Sequence, residues 1–135
     1  MRYFIEELIY DGSMIRCAGW AAPEDLSDRL TVTLQDEAGN LLPIPVEMQE
    51  RPDVVEAIYG VKQQPEPYGF RFSFPPAEWI FVYLDLQAER FAIDHTRKRI
   101  EVRDLEHTYR KEHSFFGKMK KKRQEKERRK KEKKR

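Results

Sequence analysis

Cysteine is nearly missing from this chain: Cys17 stands alone among 135 residues, so no internal disulfide can form and nothing asks for an oxidising compartment. It is expected in the core. Glycine is scarce as well, with six residues scattered along the chain, which leaves no glycine-rich loop to cradle a phosphate. Long apolar runs are absent. The opening "MRYFIEELIYDG" carries Glu6 and Glu7 where a signal peptide needs uninterrupted apolar residues, and no stretch approaches the ~20 residues that span a bilayer. A soluble cytoplasmic protein, or the soluble part of one, is the expectation.

Catalytic groupings are equally hard to find. His95, His107 and His113 lack metal-ligand spacing and have no neighbouring cysteines. Ser13, Ser27, Ser73 and Ser114 have no nucleophile context, and Cys17 lies inside an expected strand. Carboxylates are so numerous that a chance pair carries no weight. The chain is therefore expected to hold no catalytic residue, no metal and no cofactor, and not to be an enzyme by itself.

Charge is what the chain has in abundance, and it is unevenly placed. Lys118 to Arg135 hold 13 Lys+Arg and 3 Glu, net +10, which leaves residues 1–117 with 13 Lys+Arg and 21 Asp+Glu, net −8. An acidic globule carries a strongly basic tail. The expected division is a domain over residues 1–110 and a basic tail or linker over 111–135.

Period-two alternation dominates the globule. Leu30, Val32 and Leu34 alternate with Thr31, Thr33 and Gln35; Phe70, Phe72 and Phe74 alternate with Arg71 and Ser73. Leu42, Ile44, Val46 and Met48 alternate with Leu41, Pro43, Pro45 and Glu47, and prolines that cannot donate a ladder hydrogen bond place this run at a sheet edge. "DEAGN" between the first and third of these runs predicts a hairpin. Further strands are expected at Tyr3 to Tyr10, Met14 to Trp20, Trp79 to Gln87, Phe91 to Asp94 and Arg99 to Val102, with turns at "DGS", "APEDLSD" and "HTRK". About seven short strands at this spacing predict an all-β, immunoglobulin-like antiparallel sandwich. One short helix interrupts them at "ERPDVVEAIYG": Pro52 suits a first helical turn, Asp53 favours the positive helix start, Val54, Val55 and Ile58 turn inward, and Gly60 ends it. Farther on, Leu105 and Tyr109 are spaced to dock a helical turn on the sandwich. Beyond Met119 no apolar residue occurs, so the tail is expected to be an exposed helix or disordered.

Two surface features have competing readings. Trp79, Phe81 and Tyr83 share one strand face, either an aromatic platform for a sugar ring or other flat ligand, or a face covered by Phe115 and Phe116. The tail residues Lys118, Lys120, Lys121, Lys122, Arg123, Arg128, Arg129, Lys130 and Lys131 would attract a nucleic acid or, with the neighbouring aromatics, an anionic membrane at the inner face of the cell envelope. The bland alternative is a charged linker.

Three short blocks in a fixed order carry a resemblance: Gly19-Trp20-Ala21 closing a strand, Arg51-Pro52-Asp53-Val54 after an edge strand, and Tyr68-Gly69-Phe70 opening another. Over roughly residues 3–110 the chain resembles the β-sandwich module at the N-terminus of bacterial family 2 glycosyltransferases. The resemblance implies a non-catalytic accessory domain in cell-surface glycan assembly, whose partner is a glycosyltransferase catalytic domain or a glycan acceptor. No Asp-x-Asp triplet is present to hold a metal and a nucleotide sugar, so transferase activity does not carry over. The chain is then either an excised domain or a freestanding relative acting beside a separate enzyme. Within the module Gly19 is expected to relieve crowding beside Trp20, Trp20 to fill the inter-sheet core, and Gly69 to admit a tight approach to the Phe70 strand. Trp79, Phe81, Tyr83 and Tyr68 are the expected ligand-facing residues. Arg51 and Asp53 either pin the helix or meet the ligand.

Overall fold

The computed structural model describes residues 1–62 and 66–114. Alternating apolar residues fold these into seven strands in two antiparallel sheets. In chain order the elements are β1 (Arg2–Tyr10), β2 (Ile15–Ala22), β3 (Leu30–Gln35), β4 (Glu47–Gln49), the helix α1 (Pro52–Tyr59), β5 (Gly69–Phe74), β6 (Phe81–Ala88) and β7 (His95–Glu101). A second helix, α2, covers residues 102–114. One sheet runs β1-β2-β5-β4 and the other β3-β6-β7. This is the strand order of a constant-type immunoglobulin sandwich, reached without the inter-sheet disulfide of antibody domains because Cys17 is unpaired.

The core forms where the inward sets of both sheets meet. Ile15, Cys17 and Ala21 of β2 and Phe70, Phe72 and Phe74 of β5 face Leu30 and Leu34 of β3, Val82, Leu84 and Leu86 of β6, and Ile100 of β7. The three phenylalanines stack in sequence, with centroids 6.5 and 6.2 Å apart and planes within 17°. Each such buried side chain contributes about 1.5–3 kcal/mol, so this row is a principal cohesive element. Burial also pushes the Cys17 thiol up to about 12, a weaker effect coming from Glu7, which leaves it protonated and inert.

α1 begins at Pro52 and ends where Gly60 takes a left-handed φ of 71° and its N–H returns to the Glu56 carbonyl. Val54 and Val55 are buried beneath it, as their spacing predicts. α2 packs Leu105 against the core and sets the Tyr109 ring edge-on to Tyr10, 5.0 Å away. Tyr109 occupies the space beside Gly12, where a side chain would meet its hydroxyl at 2.6 Å. The tight β1–β2 turn therefore needs glycine twice over, for its φ of 96° and for the helix above it.

Three strand expectations change. The hairpin expected at "DEAGN" closes, with the Asp36 N–H on the Asn40 carbonyl and the Leu42 N–H on the Leu34 carbonyl, but the rest of the run from Leu42 to Met48 does not pair with β3. One bridge joins Gln35 to Leu41, after which the chain crosses to the other sheet and only Glu47–Gln49 forms a strand, beside β5. Pro43 and Pro45 cannot sustain a ladder, yet Ile44 still reaches the core, so the alternation marks an extended crossing rather than a strand. Phe91 to Asp94 is a turn, closed by the Asp94 N–H on the Phe91 carbonyl, with Ile93 94% exposed. "HTRK" lies inside β7 instead of forming a turn.

One end of the sandwich is locked by polar groups. Asp28, buried, accepts hydrogen bonds from the backbone N–H groups of Arg29, Arg90 and Phe91 at 2.8, 2.7 and 3.0 Å, tying the β2–β3 loop to the β6–β7 turn. Burial opposes its charge, but these donors prevail and hold the carboxyl below the usual range. The Tyr68 hydroxyl lies 2.8 Å from the carbonyl oxygens of both Leu26 and Asp28, bracing the same loop from below.

Candidate functional site

The three sequence blocks that carried the resemblance meet in space. Gly19 lies opposite Ile5, where β1 bulges before Glu7. A Cβ there would stand 2.4 Å from the Phe4 carbonyl oxygen and 3.1 Å from the Phe70 ring, so the glycine lets β1 and the core ring close on β2. Gly69 pairs with Trp20 on one side and Gln49 on the other. A Cβ there would lie 2.7 Å from the Arg51 Cγ and 2.9 Å from the Gln49 carbonyl oxygen, so Gly69 gives the Arg51 stem its passage.

Arg51 is fully engaged. Its Nε and Nη2 donate to the two Asp53 carboxylate oxygens at 3.0 and 2.9 Å, and Nη1 makes a short ion pair with Glu6 in the β1 bulge. Asp53, then Glu6, raises the guanidinium pKa further above its ordinary value, and the same pair draws the Asp53 carboxyl down. The arginine is 23% exposed and bridges the start of α1 to the edge strand. Arg51 and Asp53 thus tie the start of α1 to β1 through side-chain carboxylates rather than through backbone groups.

Tyr68 is not at a surface. It is 0% exposed, and its pKa is pushed up to about 12, first by burial and then by Glu66 and Asp28. Its place as a ligand-facing residue is corrected by the two carbonyls that claim its hydroxyl. Trp79 precedes β6 and packs edge-on against Phe74, 5.9 Å away, so it forms no common platform with Phe81 and Tyr83. Those two do share the outer face of β6, but the guanidinium of Arg99 lies over Phe81 at 3.6 Å and that of Arg97 over Tyr83 at 4.0 Å. The rings are roofed, not open for stacking. The tail residues Lys118, Lys120, Lys121, Lys122, Arg123, Arg128, Arg129, Lys130 and Lys131, with Phe115 and Phe116, lie outside the described residues.

The outer face of the four-stranded sheet holds what the sequence reading missed. Because Ile15, Cys17, Gly19 and Ala21 point inward, Arg16, Ala18 and Trp20 point outward, and pairing continues each across the sheet. One row is Phe4, Trp20, Gly69 and Gln49; the next is Glu7, Ala18, Arg71 and Glu47; the third is Ile9, Arg16 and Ser73. Small Ala18 between long Glu7 and Arg71 leaves a hollow. An open groove of about 470 Å³ lies here, lined by Glu7, Arg16, Pro45, Val46, Glu47, Arg71, Phe72 and Ser73. Arg16 Nε lies 3.4 Å from Glu7 and 3.8 Å from Asp11, whose carboxyl is held low by the Met14 and Ser13 N–H groups. Arg71 has no hydrogen-bond or ion-pair partner among the described residues.

Trp20 was expected in the inter-sheet core. It stands on the opposite face, half-buried beside Phe4, which is 57% exposed. The signal was in the alternation itself, since Trp20 is out of phase with Ile15 and Cys17. Chemically, the groove sets guanidinium donors beside carboxylate and hydroxyl acceptors, and the adjoining row of the same sheet face carries Phe4 and Trp20. That arrangement suits a polyol, whose hydroxyls both donate and accept and whose ring faces are apolar. Among the described residues no cluster of three or more histidine, cysteine or acidic side chains is placed to hold a metal, and no helix is long and apolar enough to cross a membrane. No family model matches the chain, and neither a curated protein nor a solved structure was found to be similar to it.

Proposed function

We propose that this chain is a non-catalytic binding module that serves a family 2 glycosyltransferase in the cytoplasm by holding a glycan acceptor against the outer face of its four-stranded sheet. One observation carries the reading: the groove lined by Glu7, Arg16, Glu47, Arg71 and Ser73, in which Arg71 faces Glu47 across strands without a partner among the described residues, on the same sheet face as the neighbouring Phe4–Trp20 row. Carboxylate and guanidinium side by side bind vicinal hydroxyls, and an exposed aromatic pair supplies apolar area at low entropic cost. The association with a glycosyltransferase rests on the sequence resemblance and the glycan on this face. A glycan array probed with the full chain tests it. Binding that falls at least tenfold in Arg71→Ala and Trp20→Ala supports the proposal, whereas an array without signal, or one indifferent to both variants, removes it.

A second reading, binding of a nucleic acid or anionic membrane through the tail, is favoured by the net +10 of Lys118 to Arg135. Its mark is salt dependence: for six or more phosphates neutralised, the logarithm of affinity falls with that of salt with a slope of about −5 or steeper.

A further inference from the structure

The β3-β6-β7 sheet presents a second surface of different character. Period two places His95, Arg97, Arg99 and Glu101 of β7 outward, all exposed, beside Phe81, Tyr83 and Asp85 of β6. Each of the first three leans one rung across the pairing. His95 Nε2 meets the Asp85 carboxylate, Arg97 rests on Tyr83, and Arg99 rests on Phe81. Diagonal neighbours lie about 7–8 Å apart at their Cα atoms, within reach of long side chains, and the register makes all three lean the same way.

A guanidinium carbon 3.6 or 4.0 Å from a ring centroid lies on the ring face, where cation–π attraction holds it. The Arg97 Nη2 is also fixed by donating to the Asp36 carbonyl oxygen at 2.8 Å, which keeps that side chain across the face. Arg97 has no carboxylate partner among the described residues, and Arg99 has only Glu101, 3.5 Å from its Nε. Two planar forks are thus held in place with donors unspent. Preorganised forks of this kind recognise carboxylates in a way a mobile lysine does not.

The spacing narrows the ligand. Arg97 and Arg99 are alternate residues of one strand, so their positions repeat every ~6.6–6.8 Å. An extended peptide with acidic residues at alternate positions has the same repeat. A long polyanion would meet the net −8 of residues 1–117 over most of the globule, so a short segment is favoured.

We propose that the outer face of β3-β6-β7 binds a short extended acidic segment of a partner protein, two of whose alternate carboxylates seat on Arg97 and Arg99. This interface stands apart from the glycan reading, on the opposite sheet. The test uses the full chain at physiological salt and the fluorescence anisotropy of a labelled synthetic peptide in which Glu alternates with Thr. Arg97→Ala and Arg99→Ala should each weaken binding about tenfold, equivalent to about 1.4 kcal/mol. Arg97→Lys with Arg99→Lys keeps charge and fold but loses the forks, and should also weaken binding; it carries the test if the alanine variants fail to fold. A peptide of the same composition with its glutamates in one block should bind less well. Unchanged affinity in the double alanine variant would put the peptide on the basic tail and overturn the proposal. So would wild-type affinity in the double lysine variant, or equal competition by oligothymidylate or polygalacturonate at matched charge.

Discussion

Tyr68→Phe removes one hydroxyl and leaves the ring, its burial and its packing unchanged, so its cost isolates the brace beneath the β2–β3 loop. The hydroxyl stands 2.8 Å from two carbonyl oxygens, and the Tyr68 side chain is fully buried. Loss of the bond together with stranding of buried acceptors should cost about 2 kcal/mol, within the usual 1–3 kcal/mol for such groups. With a urea m-value of about 1.5 kcal/mol/M, the unfolding midpoint should fall by a little over 1 M at unchanged slope. Alkaline pH supplies a second reading. The folded-state pKa of Tyr68 is raised from 10.0 to about 12, so its contribution is complete below pH 10 and disappears as pH climbs through the folded value. Tyr59, raised by burial and by Tyr68, and Cys17 have the same sign, so the variant should shrink the alkaline loss without abolishing it. A destabilisation below about 0.5 kcal/mol, the range of an ordinary surface change, would refute the brace. So would a pH profile identical to that of the parent.

Gly19→Ala would drive a methyl group to within 2.4 Å of a backbone oxygen that cannot swing aside, so a loss of about 1–3 kcal/mol in urea unfolding is expected; neutrality would show that the β1 bulge is soft. Arg51→Met keeps much of the stem over Gly69 while ending the pairs with Asp53 and Glu6. It should cost about 1 kcal/mol at low salt and less at 1 M salt, because the pair is partly exposed and screened; a salt-independent loss would assign the effect to packing.

The sheets were legible because burial on one side imposes a period of two, as at Phe70, Phe72 and Phe74, whose buried faces match the alternation residue for residue. α1 was legible through Pro52 and Gly60, which act locally. Two of the failures occur where an extended chain does something other than pair. Ile44 alternates as in a strand because its stretch crosses the sandwich end with one side on the core, while Pro43 and Pro45 prevent a ladder. Phe91 and Ile93 look like strand residues but sit in a turn fixed by Asp28, a tertiary contact across 63 residues that no local pattern announces. The candidate groove was hidden for another reason: its hollow arises where Ala18, Glu7, Arg71 and Glu47 align across four strands, and register is not written in any one of them.

The same distinction bears on what the three resembling blocks mean. Gly19 and Gly69 are small because a backbone oxygen and the Arg51 stem pass close to them, Tyr68 is a buried brace, and Asp53 is occupied by Arg51. Their spacing along the chain thus follows from the packing of β1, β2, β5 and α1, and any sandwich built this way would need comparable residues. A likeness resting on them speaks first to architecture, so the proposed association with a glycosyltransferase needs the binding test for its support. Binding must be sought in side chains that keep donors or ring area beyond what the packing uses, and the two outer faces supply them: Arg71 and Trp20 on one sheet, Arg97 and Arg99 on the other. Substitutions at these positions should therefore separate function from fold, altering binding with little change in the unfolding midpoint, whereas substitutions within the three blocks, Trp20 excepted, should alter both together.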